Sequence, residues 1–459
     1  MHTLAQLQSG ELHQNKITRL QIAEGLTTFP MEIIDLAESL EVLDLSNNKL
    51  SSLPEQFEQL QNLKILFLSF NCFTEIPSII AKCPKLEMIG FKANQIVTVA
   101  ENCFPVDTRW LILTDNKIKQ LPQSVGLLHR LKKFALAGNE LTSLPETMSN
   151  CLSLELFRVS ANKLTEIPQW LFDMPKLAWL AFSGNPATET RLSNTKLSNA
   201  KLSEANFSQT TMAQLQLGDQ LGQGASGVIY QALWQQPSEK ELTQAVAVKV
   251  FRGAVTSDGY PKDELHCCLQ AGFHPNLIRV LSHIAETDKL ALVMELIPAH
   301  FYNLGLPPSL ETCTRDTFAE GMDVSLTQVV KVMTSMAGAL VHLHQHQVSH
   351  GDIYAHNTMI DRDANMLFGD FGAATDLSCL SAEQAKAMEG IEVRAIGNML
   401  DDLLMHLREL NSASNSEEPD VSILGQLSDL VNDCLQTNVS MRPRFIVIEQ
   451  KLAAIQIQL

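Results

Sequence analysis

The sequence predicts a multi-domain α/β protein in which a solenoid of short repeats is followed by a larger α+β region. Seven asparagines recur between residues 48 and 185 at a spacing of 23 residues, with one step of 22, and each follows a ladder of apolar residues. From about residue 214 this period stops, and β-branched strands, a glycine-rich turn and a long apolar helix pattern take its place. A chain of 459 residues has room for about three domains.

Composition limits the classes of partner and the compartment. The chain has 34 Lys and Arg against 51 Asp and Glu, a net charge of −17 without a Lys/Arg-rich cluster, which argues against nucleic acid or an anionic membrane as the main partner. Its nine cysteines include no C-x-x-C pair, so neither a zinc site nor a disulfide framework is indicated. The N-terminus lacks a signal-peptide pattern, and no apolar run reaches the ~18 residues that span a bilayer. We therefore expect a cytoplasmic protein without a membrane span.

The repeats of the first half share the pattern Leu-x-x-Leu-x-Leu-x-x-Asn, as in Leu40–Asn48 and Leu63–Asn71, and most continue with Leu-x-x-Leu-Pro. This pattern resembles the leucine-rich repeat. The resemblance implies that each copy supplies one short strand to a concave sheet and that the ladder leucines stack into a continuous core. The Asn side chain is expected to turn inward and to satisfy buried backbone groups. We assign residues 1–187 to this leucine-rich-repeat domain.

A protein partner is expected on the concave face of the repeats, because solenoids of this kind are mostly interaction surfaces. Aromatic and arginine side chains are over-represented at binding hot spots. The aromatic residues predicted to be exposed there are Phe67, Phe70, Trp110 and Trp179, and the basic ones are Lys92, Arg109, Lys132, Lys133 and Arg158. The competing interpretation is that these are scattered surface residues on a scaffold.

A connector, residues 188–213, separates the two halves. It is rich in Ser, Asn, Thr and Lys, but apolar residues recur in it every five positions, at Leu192, Leu197, Leu202, Phe207 and Met212. This spacing resembles pentapeptide repeats, and the resemblance implies a short coil that caps the open end of the solenoid. A flexible polar linker whose spacing arose by chance is the alternative.

The residues with the clearest chemistry lie between positions 346 and 374. Asp352 and Asn357 are on a predicted loop, and two short apolar runs, Thr358–Ile360 and Met366–Phe368, follow as a predicted hairpin. Asp370 comes next and is followed by Phe-Gly. A carboxylate, an amide and a second carboxylate at the two ends of one hairpin could orient a hydroxyl and hold Mg²⁺ on a nucleotide.

Patterns suited to a nucleotide also occur upstream. The segment 221–230 is a glycine-rich hairpin whose backbone could lie close over phosphates. Lys249 ends a β-branched strand, and a cation on an apolar strand is unfavourable unless it meets an anion. Glu264, at the start of a predicted helix, is a suitable partner. The backbone from Glu295 to Ile297 follows an apolar strand and could meet the edge of an adenine.

Together these motifs resemble those of protein kinases, in the order found in that family, over about residues 215–450. The resemblance implies a two-lobed protein-kinase-like fold over residues 214–459, so the complete fold class is a leucine-rich-repeat solenoid followed by an α+β kinase-like fold. The catalytic residues that it implies are Asp352, Lys249 and Glu264. The residues implied for ATP are Leu221, Gly222, Gly224, Gly227, Ile229, Ala247, Lys249, Glu295, Ile297 and Met359. The residues implied for Mg²⁺ are Asn357 and Asp370.

The chain departs from the kinase pattern in four places. Gly351 stands where the family usually has Arg, so activation by phosphorylation of the following loop is not expected. Tyr354 stands where Ser/Thr kinases commonly have Lys. Only nineteen residues separate Gly372 from Glu392, which by resemblance starts the next helix, so the peptide-docking platform is expected to be reduced. The insert Ala299–Asp323 is irregular and is expected near the substrate entrance.

The favoured function is an ATP- and Mg²⁺-dependent protein kinase that phosphorylates Ser or Thr of a partner recruited by the leucine-rich repeats, since tethering raises the effective concentration. Two alternatives stay open. The string His350-Gly-Asp352 also resembles aminoglycoside- and choline-type phosphotransferases, which act on small molecules. A scaffold that binds ATP but transfers little phosphate would have the same fold.

Overall fold

The computed structural model describes residues 1–189, 208–224, 226–235, 243–253, 255–256, 258–287, 289–414 and 421–459. These residues form two compact units: Met1–Met174 with Asn185–Ala187, and Pro175–Gly184 with Thr188–Leu459. The segment Pro175–Gly184 carries the ladder of the last repeat copy and belongs to the second unit. The coil predicted within the connector 188–213 falls mostly outside the described residues.

The first unit is a solenoid of short parallel strands. After two helices, α1 (Leu4–Gln8) and α2 (Glu11–Gln14), seven strands of three residues pair in chain order. The strands are β1 (Arg19–Gln21), β2 (Val42–Asp44), β3 (Ile65–Phe67), β4 (Met88–Gly90), β5 (Trp110–Ile112), β6 (Lys133–Ala135) and β7 (Leu156–Arg158). Each repeat copy supplies one strand, which confirms the leucine-rich-repeat prediction.

The return segments of the repeats are 3-10 helices. Six of them are Met31–Leu36, Glu55–Gln59, Ser78–Lys82, Gln123–Leu127, Glu146–Asn150 and Gln169–Asp173. Each of these begins directly after a proline, whose fixed φ and missing N–H prevent strand pairing from continuing into the return. A further short 3-10 helix, Pro186–Thr188, follows the last repeat asparagine.

The repeat asparagines connect adjacent coils. Nδ2 of Asn71 donates to the carbonyl oxygens of Leu45 and Leu68 at 2.9 and 3.1 Å. Its Oδ1 accepts from the N–H of Leu50 at 2.9 Å. The same arrangement recurs at Asn48, Asn94, Asn116, Asn139 and Asn162. The inward orientation predicted for these side chains is therefore confirmed, and it satisfies backbone groups that the stacked coils bury.

The second unit contains a six-stranded sheet. Its strands are β9 (Ser208–Gln209), β10 (Leu215–Gln223), β11 (Gly227–Gln235), β12 (Thr243–Phe251), β13 (Val280–Glu286) and β14 (Lys289–Glu295). They lie in the order β10-β11-β12-β14-β13-β9, and neighbours are antiparallel except for the β13–β9 pair. Strand β8 (Trp179–Ala181) belongs to the second unit but not to this six-stranded sheet. A 3-10 helix, Met212–Gln214, precedes β10, and helix α3 (Pro261–Ala271) follows β12. One face of the sheet forms an apolar core around Trp234 and Val248.

The rest of the second unit is mainly helical. Its helices are α4 (Leu326–Gln345), α5 (Ala382–Ser414), α6 (Val421–Cys434) and α7 (Phe445–Gln456). Its short strands are β15 (Tyr302–Asn303), β16 (Val348–Ser349), β17 (Thr358–Ile360), β18 (Met366–Phe368) and β19 (Thr375–Asp376). Its 3-10 helices are Ala355–Asn357, Phe371–Ala373, Leu377–Cys379 and Val439–Met441. A sheet-rich part followed by a helical part is the predicted kinase-like arrangement, so the predicted fold class is confirmed.

The start of helix α5 corrects one expectation. We expected this helix to begin at Glu392, but it begins at Ala382, so nine residues rather than nineteen separate Gly372 from the helix. Ser381 caps it: its Oγ accepts from the N–H of Gln384 at 3.2 Å, and the Gln384 Oε1 accepts from the N–H of Ser381 at 3.2 Å. This pairing is a capping box. The segment available to dock a peptide is therefore even shorter than the sequence indicated.

Within the described ranges, helix α4 alone has the length and apolarity of a membrane span, with a mean hydropathy of 1.2. About 56% of that apolar window is buried inside the protein. Buried core helices of folded domains pass the same length and composition test, so this helix is weak evidence for a span.

Candidate active site

A cavity of about 270 Å³ in the second unit is lined by residues of the sheet, of helix α3 and of the β17–β18 hairpin. Nine predicted site residues line it: Gly224, Gly227, Ile229, Lys249, Glu264, Ile297, Asn357, Met359 and Asp370. The other five, Leu221, Gly222, Ala247, Glu295 and Asp352, are not part of its wall. Ala247 is buried within strand β12, and Glu295 is exposed at the end of β14.

The deepest polar group of the cavity is an ion pair. Lys249 on strand β12 donates to Glu264 on helix α3, and both side chains are at least nine-tenths buried. The Lys249 Nζ also lies 3.3 Å from Oδ1 of Asp370. Burial lowers the pKa of Lys249, but the charges of Asp370 and Glu264 outweigh that effect and raise it above its ordinary value. Lys249 is therefore a fixed cation in the cavity wall, as the sequence predicted for a buried lysine.

The first turn of helix α3 places Glu264 at the cavity. Pro261 occupies its first turn, where a missing N–H removes no helical hydrogen bond, and Glu264 follows within that turn. One carboxylate oxygen of Glu264, Oε2, is buried without a hydrogen-bond partner among the described residues. The other oxygen carries the bond to Lys249, which is the cation that faces this carboxylate.

The glycine-rich turn is constrained by packing at one position. A Cβ at Gly227 would lie 2.4 Å from the carbonyl oxygen of Val250 on the adjacent strand. A Cβ at Gly222 or Gly224 would meet nothing within 4 Å. Gly227 is therefore required by the β11–β12 contact, whereas Gly222 and Gly224 leave open space in which a ligand could approach the backbone.

The predicted hairpin is present with the predicted bounds, Thr358–Ile360 paired with Met366–Phe368. Before it, Nδ2 of Asn357 donates to Oδ2 of Asp352 at 2.8 Å and to the Asp352 carbonyl oxygen at 3.0 Å. After it, Asp370 has a left-handed backbone with φ of +60°, and its side chain caps the short helix Phe371–Ala373. The structure thus brings Asp352, Asn357 and Asp370 to one end of the hairpin.

A buried histidine connects these two segments. His350 has no exposed surface, and burial lowers its pKa, so the imidazole is neutral. Its Nε2 faces the carbonyl oxygen of Gly369 at 3.0 Å and therefore carries the proton, while its Nδ1 accepts from the N–H of Asp352 at 3.3 Å. His350 thereby ties the loop that carries Asp352 to the residue that precedes Asp370.

Residues 350–357, which include Asp352 and Asn357, are called the catalytic loop below. Two carboxylates that hold this loop were not predicted as site residues. Asp316, in the irregular insert, accepts from the N–H of Ala355 at 2.5 Å and faces Nδ1 of His356 at 2.7 Å. Glu392, inside helix α5, accepts from the N–H of Gly351 at 2.6 Å. In the sequence, Glu392 is recognisable only as a residue of a predicted helix. Asp316 cannot be recognised at all, because the insert around it has no regular period.

Two residues predicted to be exposed on the concave face are buried. Trp179 is 1% exposed and Arg158 is 4% exposed. The indole N–H of Trp179 donates to the carbonyl oxygen of Ile353 at 2.9 Å, and its ring stacks on Tyr354. The prediction that Trp179 faces a partner is therefore wrong, because strand β8 packs inside the second unit.

The pair His356–Asp316 leads to a prediction about pH. Burial lowers the pKa of His356, but the hydrogen bond to Asp316 and its charge raise it above the ordinary value. A raised folded-state pKa stabilises the protein below the unfolded pKa, and this contribution is lost as pH rises through the folded pKa. Asp316→Asn should therefore lower Tm most near pH 6, and the Tm difference from wild type should shrink at higher pH.

His356→Gln is the matched background for that experiment, because it removes the titrating group and leaves Asp316 in place. In this background, the change in Tm caused by Asp316→Asn should vary less with pH than in the wild-type background, because His356 no longer contributes; Asp402, whose pKa burial raises to about 6 with a contribution from Asp316, accounts for what remains. A Tm difference that stays constant with pH in the wild-type background would contradict the prediction. Differential scanning fluorimetry between pH 6 and 8.5 measures both series.

Family models match three parts of the chain. Residues 215–396 match the model described as protein tyrosine and serine/threonine kinase, and residues 34–104 match the leucine rich repeat model. Residues 187–217 match pentapeptide repeats in eight copies. With the geometry above, these matches define the class: the chain carries an N-terminal leucine-rich-repeat region and a C-terminal protein kinase domain.

Individual relatives include a protein named as a receptor kinase. The chain is 28% identical over 158 residues to cell division control protein 2 homolog 3 of Trypanosoma brucei brucei, which covers 34% of this chain and 45% of that protein. It is 28% identical over 165 residues to L-type lectin-domain containing receptor kinase S.7 of Oryza sativa subsp. japonica, covering 35% of this chain and 21% of that protein. The chain thus spans less than half the length of either relative.

Proposed function

We propose that this protein is an ATP-dependent protein kinase that transfers the γ-phosphoryl group to Ser or Thr of a protein bound by its leucine-rich repeats. The observation that carries the proposal is the assembled Lys249–Glu264 pair, with Asp370 beside it, at the cavity that Asn357 also lines. These are the groups that phosphoryl transfer requires for positioning and for charge stabilisation.

The donor set of the cavity fits ATP and Mg²⁺. No cluster of three or more His, Cys, Asp or Glu side chains that could hold a metal occurs in the described part of the chain. Mg²⁺ does not need one, since it is commonly held by one or two protein oxygens together with substrate phosphates. Asp370 and the Oδ1 oxygen of Asn357 would supply these protein oxygens. ATP would provide the phosphoryl group, and Mg²⁺ would neutralise its charge.

Each remaining residue has a role in this proposal. Lys249 would bind the phosphates next to the transferred group, with Glu264 holding it in place. Asp352, oriented by Asn357 Nδ2, would accept the proton of the substrate hydroxyl. Ile297 and Met359 would contact the adenine from the cavity wall. The roles in ATP binding that the kinase resemblance implies for four other residues stay predictions: Leu221, Gly222, Ala247 and Glu295.

A protein substrate is supported by the family match and the kinase relatives, which do not favour the small-molecule phosphotransferase or the inactive scaffold. Incubation of the full-length protein with γ-labelled ATP, Mg²⁺ and either a generic protein substrate or a pool of small metabolites distinguishes the three. We expect label in Ser or Thr of protein. Label in metabolites alone, or ATP binding without transfer, would refute the proposal.

The repeats would recruit the substrate through Phe67, Phe70 and Trp110. Phe70 is 51% exposed, and Phe67 lies over Gly90, where a Cβ would come within 2.9 Å of its ring. The ammonium of Lys133 lies 4.3 Å from the ring centre of Trp110, which holds this aromatic in a fixed orientation. Rigid, accessible aromatic rings of this kind are typical binding anchors.

The variant Phe67→Ala with Trp110→Ala should weaken partner binding by roughly 30-fold or more, which corresponds to about 2 kcal/mol, the loss expected when at least one of the two rings is a hot spot. The measurement is the recovery of proteins that bind the full-length chain and are then phosphorylated when ATP is added. Leu127→Ala with Leu152→Ala is the control, since both leucines are exposed apolar residues in or next to the return segments. Equal recovery by the wild type and the Phe67/Trp110 variant would contradict recruitment by the concave face.

We also propose a cytoplasmic location. All nine cysteines are free in the structure, and seven of them are buried. Free buried thiols suit a reducing compartment. Fractionation of cells that express the full-length protein tests this part of the proposal.

A further inference from the structure

Strand β8 has the sequence of a repeat copy but contacts the loop that carries Asp352. We propose that Trp179 on this strand is a positioning residue of the phosphotransfer centre, which holds the peptide groups directly after Asp352. The proposal rests on the kinase activity proposed above. It adds that this activity depends on Trp179, a residue of the last repeat copy.

Two contacts fix the backbone next to the catalytic carboxylate. The indole N–H of Trp179 donates to the carbonyl oxygen of Ile353 at 2.9 Å. The indole ring lies parallel to the ring of Tyr354, with 4.5 Å between ring centres and an angle of 4°. Both rings are buried, so neither contact competes with water. The carbonyl of Ile353 belongs to the Ile353–Tyr354 peptide, so the hydrogen bond restrains the backbone one residue beyond Asp352.

The neighbouring peptides of the loop are held by other elements. Glu392 of helix α5 accepts from the N–H of Gly351, before Asp352. Asp316 of the insert accepts from the N–H of Ala355, after Tyr354. Trp179 supplies the restraint between these two points, so the loop is held from both sides and in its middle.

The segment that carries Trp179 is itself anchored at both ends. A guanidinium nitrogen of Arg442 donates to the carbonyl oxygen of Pro175 at 2.7 Å, and another donates to that of Gly390 at 2.8 Å. At the other end, a Cβ at Gly184 would lie 2.6 Å from both Tyr260 and Asp263, at the start of helix α3. The segment therefore bridges the start of the helix that carries Glu264 and the loop that carries Asp352.

The segment after Gly372 offers the loop little support. Gly351 has no side chain, and nine residues separate Gly372 from helix α5, so the segment that usually braces a kinase loop is short. Trp179, which lies outside this segment, supplies part of the support that the loop needs. It does not line the cavity, so its loss should change turnover rather than nucleotide binding.

Trp179→Phe tests the proposal, because it keeps an aromatic ring against Tyr354 and removes the indole N–H. The matched control is Trp170→Phe, since the indole N–H of Trp170 is buried without a partner among the described residues. Full-length proteins are compared for kcat, for KM of ATP, for Tm and for amide hydrogen exchange of residues 351–357. We expect Trp179→Phe to lower kcat about three- to tenfold with KM for ATP within about twofold of wild type, as the loss of one buried hydrogen bond predicts.

Faster exchange at residues 351–357 in Trp179→Phe, but not in Trp170→Phe, is the expected structural signature. Trp179→Leu removes the stacked ring as well and should lower kcat further while ATP is still bound. An unchanged kcat in Trp179→Phe, an equal loss in Trp170→Phe, or a parallel rise of KM for ATP overturns the positioning role. If the wild type transfers no phosphate, the proposed function fails, and the exchange of residues 351–357 still decides whether Trp179 restrains the loop.

Discussion

Lys249→Met should lower phosphoryl transfer by at least about a hundredfold, the largest effect on activity that we expect from a single substitution. Loss of one preorganised electrostatic group in a water-excluded site typically reduces kcat by about 10²–10³-fold. Lys249 is such a group: it is 8% exposed, lies in the cavity wall and stays charged because Glu264 and Asp370 face it. Transfer of label from γ-labelled ATP to a protein substrate measures the effect.

The same substitution should also reduce stability, for a different reason. Removal of one partner from a buried ion pair leaves the other charge uncompensated and lowers the free energy of unfolding by about 3–5 kcal/mol. Glu264 would then lack the cation that compensates its charge, and its Oε2 has no hydrogen-bond partner among the described residues. Urea unfolding of the full-length variant measures this loss.

A double variant separates the two effects. Lys249→Met with Glu264→Met replaces the whole pair by apolar side chains of similar size, which is often neutral for stability. We expect the free energy of unfolding to recover and the activity to stay lost. Transfer by Lys249→Met within about tenfold of wild type would contradict the role of this lysine in catalysis. Recovery of activity in the double variant would contradict it as well.

Local chemistry explains which parts of the site could be predicted. The hairpin was predicted with its exact bounds because its turn is self-contained: Oδ1 of Asp361 accepts from the N–H of Asp363 and of Asn365, both at 2.9 Å. The Lys249–Glu264 pair was predictable because a buried cation requires an anion nearby. The first prediction depends on hydrogen bonds between residues close in sequence, and the second depends on one obligatory partner.

The start of helix α5 could have been predicted but was not. Ser381-Ala-Glu-Gln384 has the spacing of a capping box, and the residues after it favour a helix. The family pattern placed the start at Glu392, so the resemblance outweighed a local signal that was correct. The physical evidence of the cap is stronger than the analogy at this position.

The burial of Trp179 could not have been predicted from the repeats. Trp110 and Trp179 occupy the same place, the first residue of a strand in their copies, and the ladder pattern around them is the same. Trp110 keeps access to solvent in the first unit, while Trp179 is enclosed in the second. A repeat pattern determines which way a side chain faces and carries no information about what lies opposite.

Gly351→Arg should disrupt the catalytic loop, although it would restore the residue that most kinases have at this position. A Cβ at Gly351 would lie 2.5 Å from the carbonyl oxygen of Ala373 and 3.0 Å from that of Leu180. Both atoms are backbone and cannot move aside as a side chain could. The φ of +72° adds strain of about 1–2 kcal/mol for any residue with a Cβ. With overpacking of about 1–3 kcal/mol, we expect the free energy of unfolding to fall by roughly 2–5 kcal/mol.

Two alanine variants show which part of the arginine is responsible. Gly351→Ala introduces the Cβ alone and should already cause most of the loss, because the collision is at that atom. Gly321→Ala is the control, since Gly321 has a similar φ of +77° and a Cβ there would meet nothing within 4 Å. It should cost only the backbone strain, about 1–2 kcal/mol. Urea unfolding and kcat are measured for all three variants.

The outcome decides what the missing arginine means. If Gly351→Arg folds with wild-type stability and gains a response to phosphorylation, the glycine is a simple loss of a regulatory residue. If it behaves as we expect, the glycine is required because the carbonyl oxygens of Ala373 and of Leu180, the latter next to Trp179 on strand β8, occupy the space that a side chain would need. The packing of strand β8 against the catalytic loop would then contribute to the departure of the chain from the kinase pattern.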